Sequence, residues 1–163
     1  MPIEQICTIV EAVKLNKYAY SFTLEVGDMV KKEGLMAGQF LHIACGEGLL
    51  LRRPISVCMV QEDQPHDTAR IVFEVRGEGT QWLAQRQAGD KLNVLGPLGN
   101  AFSIAARGPL PLGGRGLGVP PLLGQAAFTA KKATAVLGFR SADRAMLVED
   151  YRDYCEEVYL CSD

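Results

Sequence analysis

Apolar and polar residues alternate with a period of two from Tyr18 to Val26. Tyr18, Tyr20, Phe22, Leu24 and Val26 fall on one side, and Ala19, Ser21, Thr23 and Glu25 on the other. That alternation predicts a half-buried strand, with Ile6 to Val13 as its partner across a turn at Leu15-Asn16-Lys17. A further strand opens at Gly38 and runs through Phe40 and Ile43, after which Glu47-Gly48 turns the chain into Leu49 to Val57. Ala69 to Arg76 sets Ile71, Phe73 and Val75 on one face and Val72, Glu74 and Arg76 on the other, and Asp90 to Leu95 follows a turn at Ala88-Gly89. Six short strands with one short helix among them, Gln81 to Gln85, predict a small antiparallel β-barrel ending near Phe102.

The pattern then changes character. Gly108 to Gly114 is broken by prolines and rich in glycine, Pro121 to Lys132 is apolar and of helix length, and Ala133 to Phe139 is a continuous apolar strand. Ser141 is placed to cap a helix running to about Tyr151, and Glu157 to Cys161 is a third short strand. Strands alternating with helices predict an α/β unit whose parallel sheet is covered on both faces. The expected division is a barrel over residues 1–103 and a partial α/β unit over 104–163. Three parallel strands in about 60 residues bury too little to stand alone. The second unit is therefore expected to be cut short or completed by a partner.

Composition narrows the function classes. A length of 163 residues fits one domain or two small ones, and 48% hydrophobic with 22% charged residues is an ordinary globular balance. A net charge of −2 offers no broad basic field, which argues against nucleic acid as a partner. No apolar run approaches the roughly 20 residues of a membrane-spanning helix. Met1 to Gln5 lacks the basic flank and apolar block of a secretion signal, so a cytoplasmic location is expected. Cys7, Cys45, Cys58, Cys155 and Cys161 show no two-to-four-residue spacing, so no metal motif is read, and most of them are expected to be small buried hydrophobes.

Three stretches carry candidate chemistry. In Leu49 to Val57 a buried-looking apolar run holds Arg52, Arg53, Pro54 and Ser56. Proline cannot donate to a sheet ladder and belongs at an edge or bulge. Arg53 brings a fork of donors suited to phosphate, and Ser56 a hydroxyl. The two readings are a site for a phosphate-bearing cofactor and a solvated edge strand that resists aggregation. Gly77-Glu78-Gly79-Thr80 precedes the short helix, either as an anion-binding helix start or as a plain capped turn. Gly113-Gly114-Arg115-Gly116-Leu117-Gly118 permits close approach of a nucleotide, although it lacks the G-x-G-x-x-G spacing because Pro121 stands three places after Gly118. A linker is its alternative. His42 and His66 are read as structural or solvated, Trp82 as an anchor on the barrel, and Asp143, Arg144, Glu149 and Asp150 as the wet face of the last helix.

Arg53-Pro54-Ile55-Ser56, Gly79-Thr80, Gly96-Pro97-Leu98-Gly99-Asn100, the glycine cluster and Leu137-Gly138-Phe139-Arg140 follow one another in the order found in ferredoxin-NADP reductase-like flavoproteins. Within them the chain most resembles the electron-transfer subunits of NAD-dependent (class B) dihydroorotate dehydrogenase. The resemblance implies an FAD-binding barrel followed by an NAD-binding domain. Arg53 would hold the FAD pyrophosphate, with Ile55 against the flavin ring and Ser56, the catalytic candidate, near its reactive nitrogen; Pro54 between them counts as cofactor-binding. Val72, Phe73 and Glu74 would line the other side, Gly79 and Thr80 would offer amides to the phosphates, and Gly114, Gly116 and Gly118 would face NAD(H). It implies hydride transfer from NADH to FAD and onward electron transfer, through a [2Fe-2S] cluster, to an FMN-containing dihydroorotate dehydrogenase catalytic subunit in pyrimidine biosynthesis. The rivals are a free-standing NAD(P)H diaphorase or ferredoxin reductase, and a flavin-bearing docking subunit without NADH activity.

Three departures stand out. Glu74 occupies a position that is usually basic in that family, with Arg76 two residues on as a substitute. Arg115 stands where a glycine is usual, which in a left-handed conformation would cost about 1–2 kcal/mol. The four cluster cysteines belong to a C-terminal segment outside this chain, and Cys155 and Cys161 do not match them.

Overall fold

The computed structural model describes residues 1–62, 65–103, 109–130 and 132–162. The expected join at residue 104, Gly108, Lys131, Asp163 and part of the loop before His66 lie outside them.

Six strands close a barrel: β1 (Ile3–Lys14), β2 (Ala19–Glu25), β3 (Phe40–Ile43), β4 (Arg53–Gln61), β5 (Thr68–Glu74) and β6 (Lys91–Leu98). Their spatial order is β1-β2-β5-β4-β3-β6, antiparallel throughout. The predicted alternation puts Phe22 and Leu24 inside, where they meet Leu41, Ile43, Ile71 and Leu92, all essentially inaccessible to water. Phe22 meets Phe73 edge to face at 5.1 Å. Burying such side chains is the main force closing the barrel. A helix that the sequence reading missed, α1 (Gly27–Glu33), adds Met29 and Val30 to the same core. It ends at Gly34, whose φ of 65° lets its amide turn back to the carbonyls of Met29 and Val30.

The short helix expected at Gln81 starts earlier, as α2 (Glu78–Ala84), with Gly77 at its N-cap. Thr80 is therefore inside the first turn rather than capping it. Its hydroxyl accepts from the Arg76 amide at 2.8 Å and donates to the Gly77 carbonyl at 3.2 Å.

The second unit holds three parallel strands in the order β7 (Leu110–Arg115), β8 (Ala133–Phe139) and β9 (Cys155–Ser162). Two short helices, α3 (Leu123–Phe128) and α4 (Val148–Tyr154), lie among them. The apolar stretch from Pro121 is divided between a 3-10 turn and the six-residue α3, shorter than the pattern suggested. Ser141 caps no helix: its backbone is extended before a 3-10 turn, and α4 begins only after Leu147. The expectation of a sheet covered on both faces is not met. Leu112, Ala135, Leu137 and Tyr151 pack with Ala19, Cys58 and Val72 of the barrel on one face. On the other, Val136 and its register neighbour Tyr159 are 43% and 52% exposed, because α3 and α4 both contribute to the barrel-side core.

Contacts across the join are close. Asn16 Nδ2 donates to the Ala145 carbonyl at 3.2 Å, and Arg70 pairs with Asp150 at 2.6 Å while its Nε donates to Ser21 Oγ at 2.8 Å. Asp150 and Arg144, read from sequence as solvated, are thus interface residues. At Gly124 a Cβ would stand 2.3 Å from that of Ala37 and 3.0 Å from the Cys58 carbonyl oxygen. Gly124→Ala is expected to lower stability by about 1 kcal/mol or more, since overpacking outweighs the gain in helix propensity. A melting temperature at or above that of the parent protein would contradict this packing.

Candidate functional site

The barrel has a seam. β4 and β5 pair only where Val57 to Gln61 meets Thr68 to Ile71, with a register shift between Val57 and Met59. Before and after that stretch they part: Arg53 to Ser56 stay bound to β3 alone, and Val72 to Glu74 to β2 alone. Pro54, opposite His42 in β3, therefore sits where no ladder to β5 needs its missing N–H. The edge expected from sequence is real, and it is an internal one.

Between the parted strands lies a cavity of about 200 Å³. Arg53, Pro54, Ile55 and Ser56 form one wall, and Val72, Phe73 and Glu74 the facing one. Arg76 and Thr80 line it near the start of α2, and Leu117 and Pro121 reach it from the second unit. Ile55 and Phe73 belong to the barrel core, so they line the cavity from its inner side. Ser56 alternates with them and is half buried. Sequence reading did not find Leu117 and Pro121, which are some 60 residues from the barrel wall, and no local signal ties them to it.

Arg53 is shaped for its place. Its Nη1 donates to the Leu51 carbonyl, and its guanidinium lies against Gly79. A Cβ at residue 79 would fall 2.5 Å from Arg53 Nε and 2.9 Å from Cζ. The bare backbone of Gly79 is thus the bed on which the guanidinium rests. Arg52 instead donates to the carbonyls of His42 and Asn93 and pairs with Glu4 at 2.7 Å, tying the loop to the barrel wall. The leucines before it are not buried as their sequence suggested. Leu50 and Leu51 are 96% and 71% exposed, because β4 begins only at Arg53.

Glu74 is buried beside the cavity and meets two guanidinium groups, Arg76 at 2.9 Å and Arg144 of the second unit at 3.7 Å. The Arg144 guanidinium also stacks 3.6 Å from the ring of Tyr18.

Gly114 is near the end of β7, and Gly116 and Gly118 bound the 3-10 turn that follows it. A Cβ on Gly114 would stand 3.0 Å from the Gly118 carbonyl oxygen, and Gly116 has a φ of 53°. The turn carries Leu117 to the cavity, whereas the three glycines do not line it. Arg115 has an extended backbone with φ of −128°, so the left-handed penalty considered for it does not arise.

The remaining candidates are structural. His66 pairs with Glu25 at 2.7 Å, His42 packs beside Phe40, and Trp82 joins the barrel core under the Arg86 guanidinium. Burial pushes the Cys7 thiol up to about 11 and that of Cys58 to about 12, so both are neutral packing groups near neutral pH. Among the described residues no three His, Cys, Asp or Glu side chains converge as metal ligands, and no helix is long and apolar enough to cross a membrane. A larger apolar cavity, about 310 Å³ between Met36, Met59 and Phe128, brings no cation to its wall.

The cavity at the seam suits a flat apolar ring carrying a phosphate tail. Its apolar residues from both units would flank the ring, and Arg53 on its glycine bed would meet the tail. A dinucleotide flavin has that chemistry, so the residues present fit the group.

No protein-family profile matches the chain. Along its whole length it is 37% identical to the dihydroorotate dehydrogenase B (NAD(+)) electron transfer subunit of Streptococcus mutans, covering 64% of that protein. It is 35% identical to the corresponding subunit of Enterococcus faecalis, over 98% of this chain and 62% of the relative. The chain thus spans less than two thirds of the length of these curated relatives. Among solved structures it superposes on the NADH-dependent reduced ferredoxin-NADP oxidoreductase with a TM-score of 0.80 and 28% identity, covering 98% of this chain and 57% of that one. Phthalate dioxygenase reductase matches with a TM-score of 0.74 at 20% identity, covering 98% and 52%. The barrel with its appended parallel sheet is the ferredoxin reductase-like fold.

Proposed function

From a chain that shares this fold, and more than a third of its residues with electron-transfer subunits of dihydroorotate dehydrogenase B, we propose an FAD-dependent NAD(P)H oxidoreductase component. In this reading residues 1–103 hold FAD and the unit from residue 104 takes NAD(H). When bound, FAD supplies the chemistry of accepting hydride from NADH and releasing electrons one at a time. The electrons would pass, by way of a [2Fe-2S] cluster, to an FMN-containing dihydroorotate dehydrogenase catalytic subunit.

The chain's own residues bind, orient and exclude water. Arg53, held flat against Gly79, gives the pyrophosphate a charge-assisted contact in a setting where the fork is already oriented. Pro54, Ile55 and Ser56 would face one side of the ring, and Val72, Phe73 and Glu74 the other, with the Ser56 hydroxyl as the hydrogen-bonding group nearest the reacting position. Thr80 fixes the loop between β5 and α2 through its two backbone bonds, and Gly79 keeps that loop close. Gly114, Gly116 and Gly118 shape the turn that would receive the nicotinamide nucleotide at the carboxyl end of β7, where open α/β sheets bind ligands. Leu117 and Pro121 line the cavity from the second unit.

The seam cavity with Arg53 on Gly79 is the observation that carries this reading. It is tested by titrating the purified protein with FAD and following the visible absorbance. A bound yellow cofactor is expected, with Arg53→Ala binding it about 10-fold to 100-fold more weakly. Anaerobic addition of NADH should then bleach the flavin. A protein that takes up no FAD refutes the proposal; one that holds FAD but is not bleached by NADH supports the docking-subunit rival.

A further inference from the structure

Arg76 belongs to no ladder and caps no helix, yet it lines the same cavity as Arg53. Two of its N–H groups, on Nε and Nη2, reach the one carboxylate oxygen Oε2 of Glu74, at 3.2 and 2.9 Å. The guanidinium is thereby anchored at one edge, while the side chain as a whole is 67% exposed. A guanidinium has five N–H donors, so three remain to be directed outward.

The charge balance explains how a carboxylate can sit beside an anion site. Glu74 alone against Arg76 would make a neutral pair with little pull on a phosphate. Arg144, 3.7 Å from the other oxygen of Glu74 and stacked on Tyr18, adds a second positive charge. Two guanidinium groups thus face the one Glu74 carboxylate at the cavity wall, with the exposed Asp143 carboxylate beside Tyr18 and Arg144.

We infer that Arg76 is a second cationic contact for the pyrophosphate of the cofactor, braced by Glu74, complementing Arg53 from the opposite wall of the seam. The inference rests on the FAD reading above and adds a binding residue to it. It also gives the buried Glu74 carboxylate a role, as the support that holds the Arg76 guanidinium.

The test compares FAD with riboflavin, which has the ring and no phosphate, by equilibrium titration of the purified protein and of Arg76→Ala and Arg76→Lys. Arg76→Ala is expected to bind FAD about 10-fold more weakly, with riboflavin affinity unchanged. Its FAD affinity should also fall less steeply with added salt than that of the parent protein, since one screened charge contact is gone. Arg76→Lys should lie between the two, keeping the charge and losing the fork. Equal weakening for FAD and riboflavin, or no change for either, overturns the inference while leaving the FAD reading intact. Failure of the parent protein to bind FAD at all would strike the reading beneath it instead. Arg76→Ala also takes the nearer partner from the buried Glu74 carboxylate, so thermal unfolding is followed beside the titration, and the riboflavin affinity separates a lost phosphate contact from a disturbed fold.

Discussion

Gly79→Ala is expected to weaken FAD binding about tenfold or more while leaving the melting temperature unchanged or slightly raised. The two halves of that result have separate causes. Alanine favours a helix over glycine by up to about 1 kcal/mol, and Gly79 lies in the first turn of α2. The added methyl would meet only the far end of the Arg53 side chain, at 2.5 Å from Nε, and that flexible arm can swing away at little cost to the fold. Once it swings, the guanidinium no longer lies where the cavity needs it. Loss of a charge-assisted contact of this kind is worth about 1.5–3 kcal/mol, which corresponds to roughly 10-fold to 150-fold in affinity. FAD titration beside thermal unfolding checks both halves. Weaker binding accompanied by a matching loss of stability would show that Gly79 serves the helix and not the arginine. Full FAD affinity would show that Arg53 is not needed where the structure puts it.

Phe22→Ala should have the largest effect on stability, about 3–5 kcal/mol. Phe22 is completely buried at the middle of the barrel, edge to face with Phe73, and its removal leaves a hole that the closed ring of strands cannot collapse into. Domains of this size are commonly stable by about 5–15 kcal/mol, so the variant is expected to unfold at markedly lower urea concentration. Phe73 also lines the seam cavity, so the loss should reach the site as well, and bound FAD should recover part of the stability by mass action. A urea midpoint within error of the parent protein would mean the interior is looser than the structure describes.

The barrel was readable because a period of two survives in the residues themselves, even though β2 and β5 also bury their outer face under the second unit. Phe22 and Leu24, or Ile71 and Phe73, announce which side is in. The second unit was readable as alternating strands and helices, but its helix limits were not. Helices of six and seven residues, such as α3 and α1, contain fewer than two full turns and leave a periodic pattern too short to recognise. Leu49 to Leu51 misled in the other direction: three leucines in a row resemble a core strand, yet only Leu49 packs on the barrel core, and Leu50 and Leu51 stand exposed in a loop that Arg52 anchors. Arg53, Pro54 and Ser56 were legible as a site because their types are out of place in a core strand. Leu117, Pro121 and Arg144 were not, since ordinary apolar or charged residues acquire their role only when the second unit packs against the barrel. The pairing of Glu74 with Arg144 joins residues 70 positions apart, and no local pattern encodes it.

The parting of β4 from β5 separates two kinds of inheritance. Side chains that hold the ring of strands shut face inward and tolerate little, while exposed ones along the opening, such as Pro54 and Arg76, carry no part of that core. A lineage carrying such a slit can exchange acidic for basic groups along it, and so drift in what it grips, without ever passing through an unfolded ancestor.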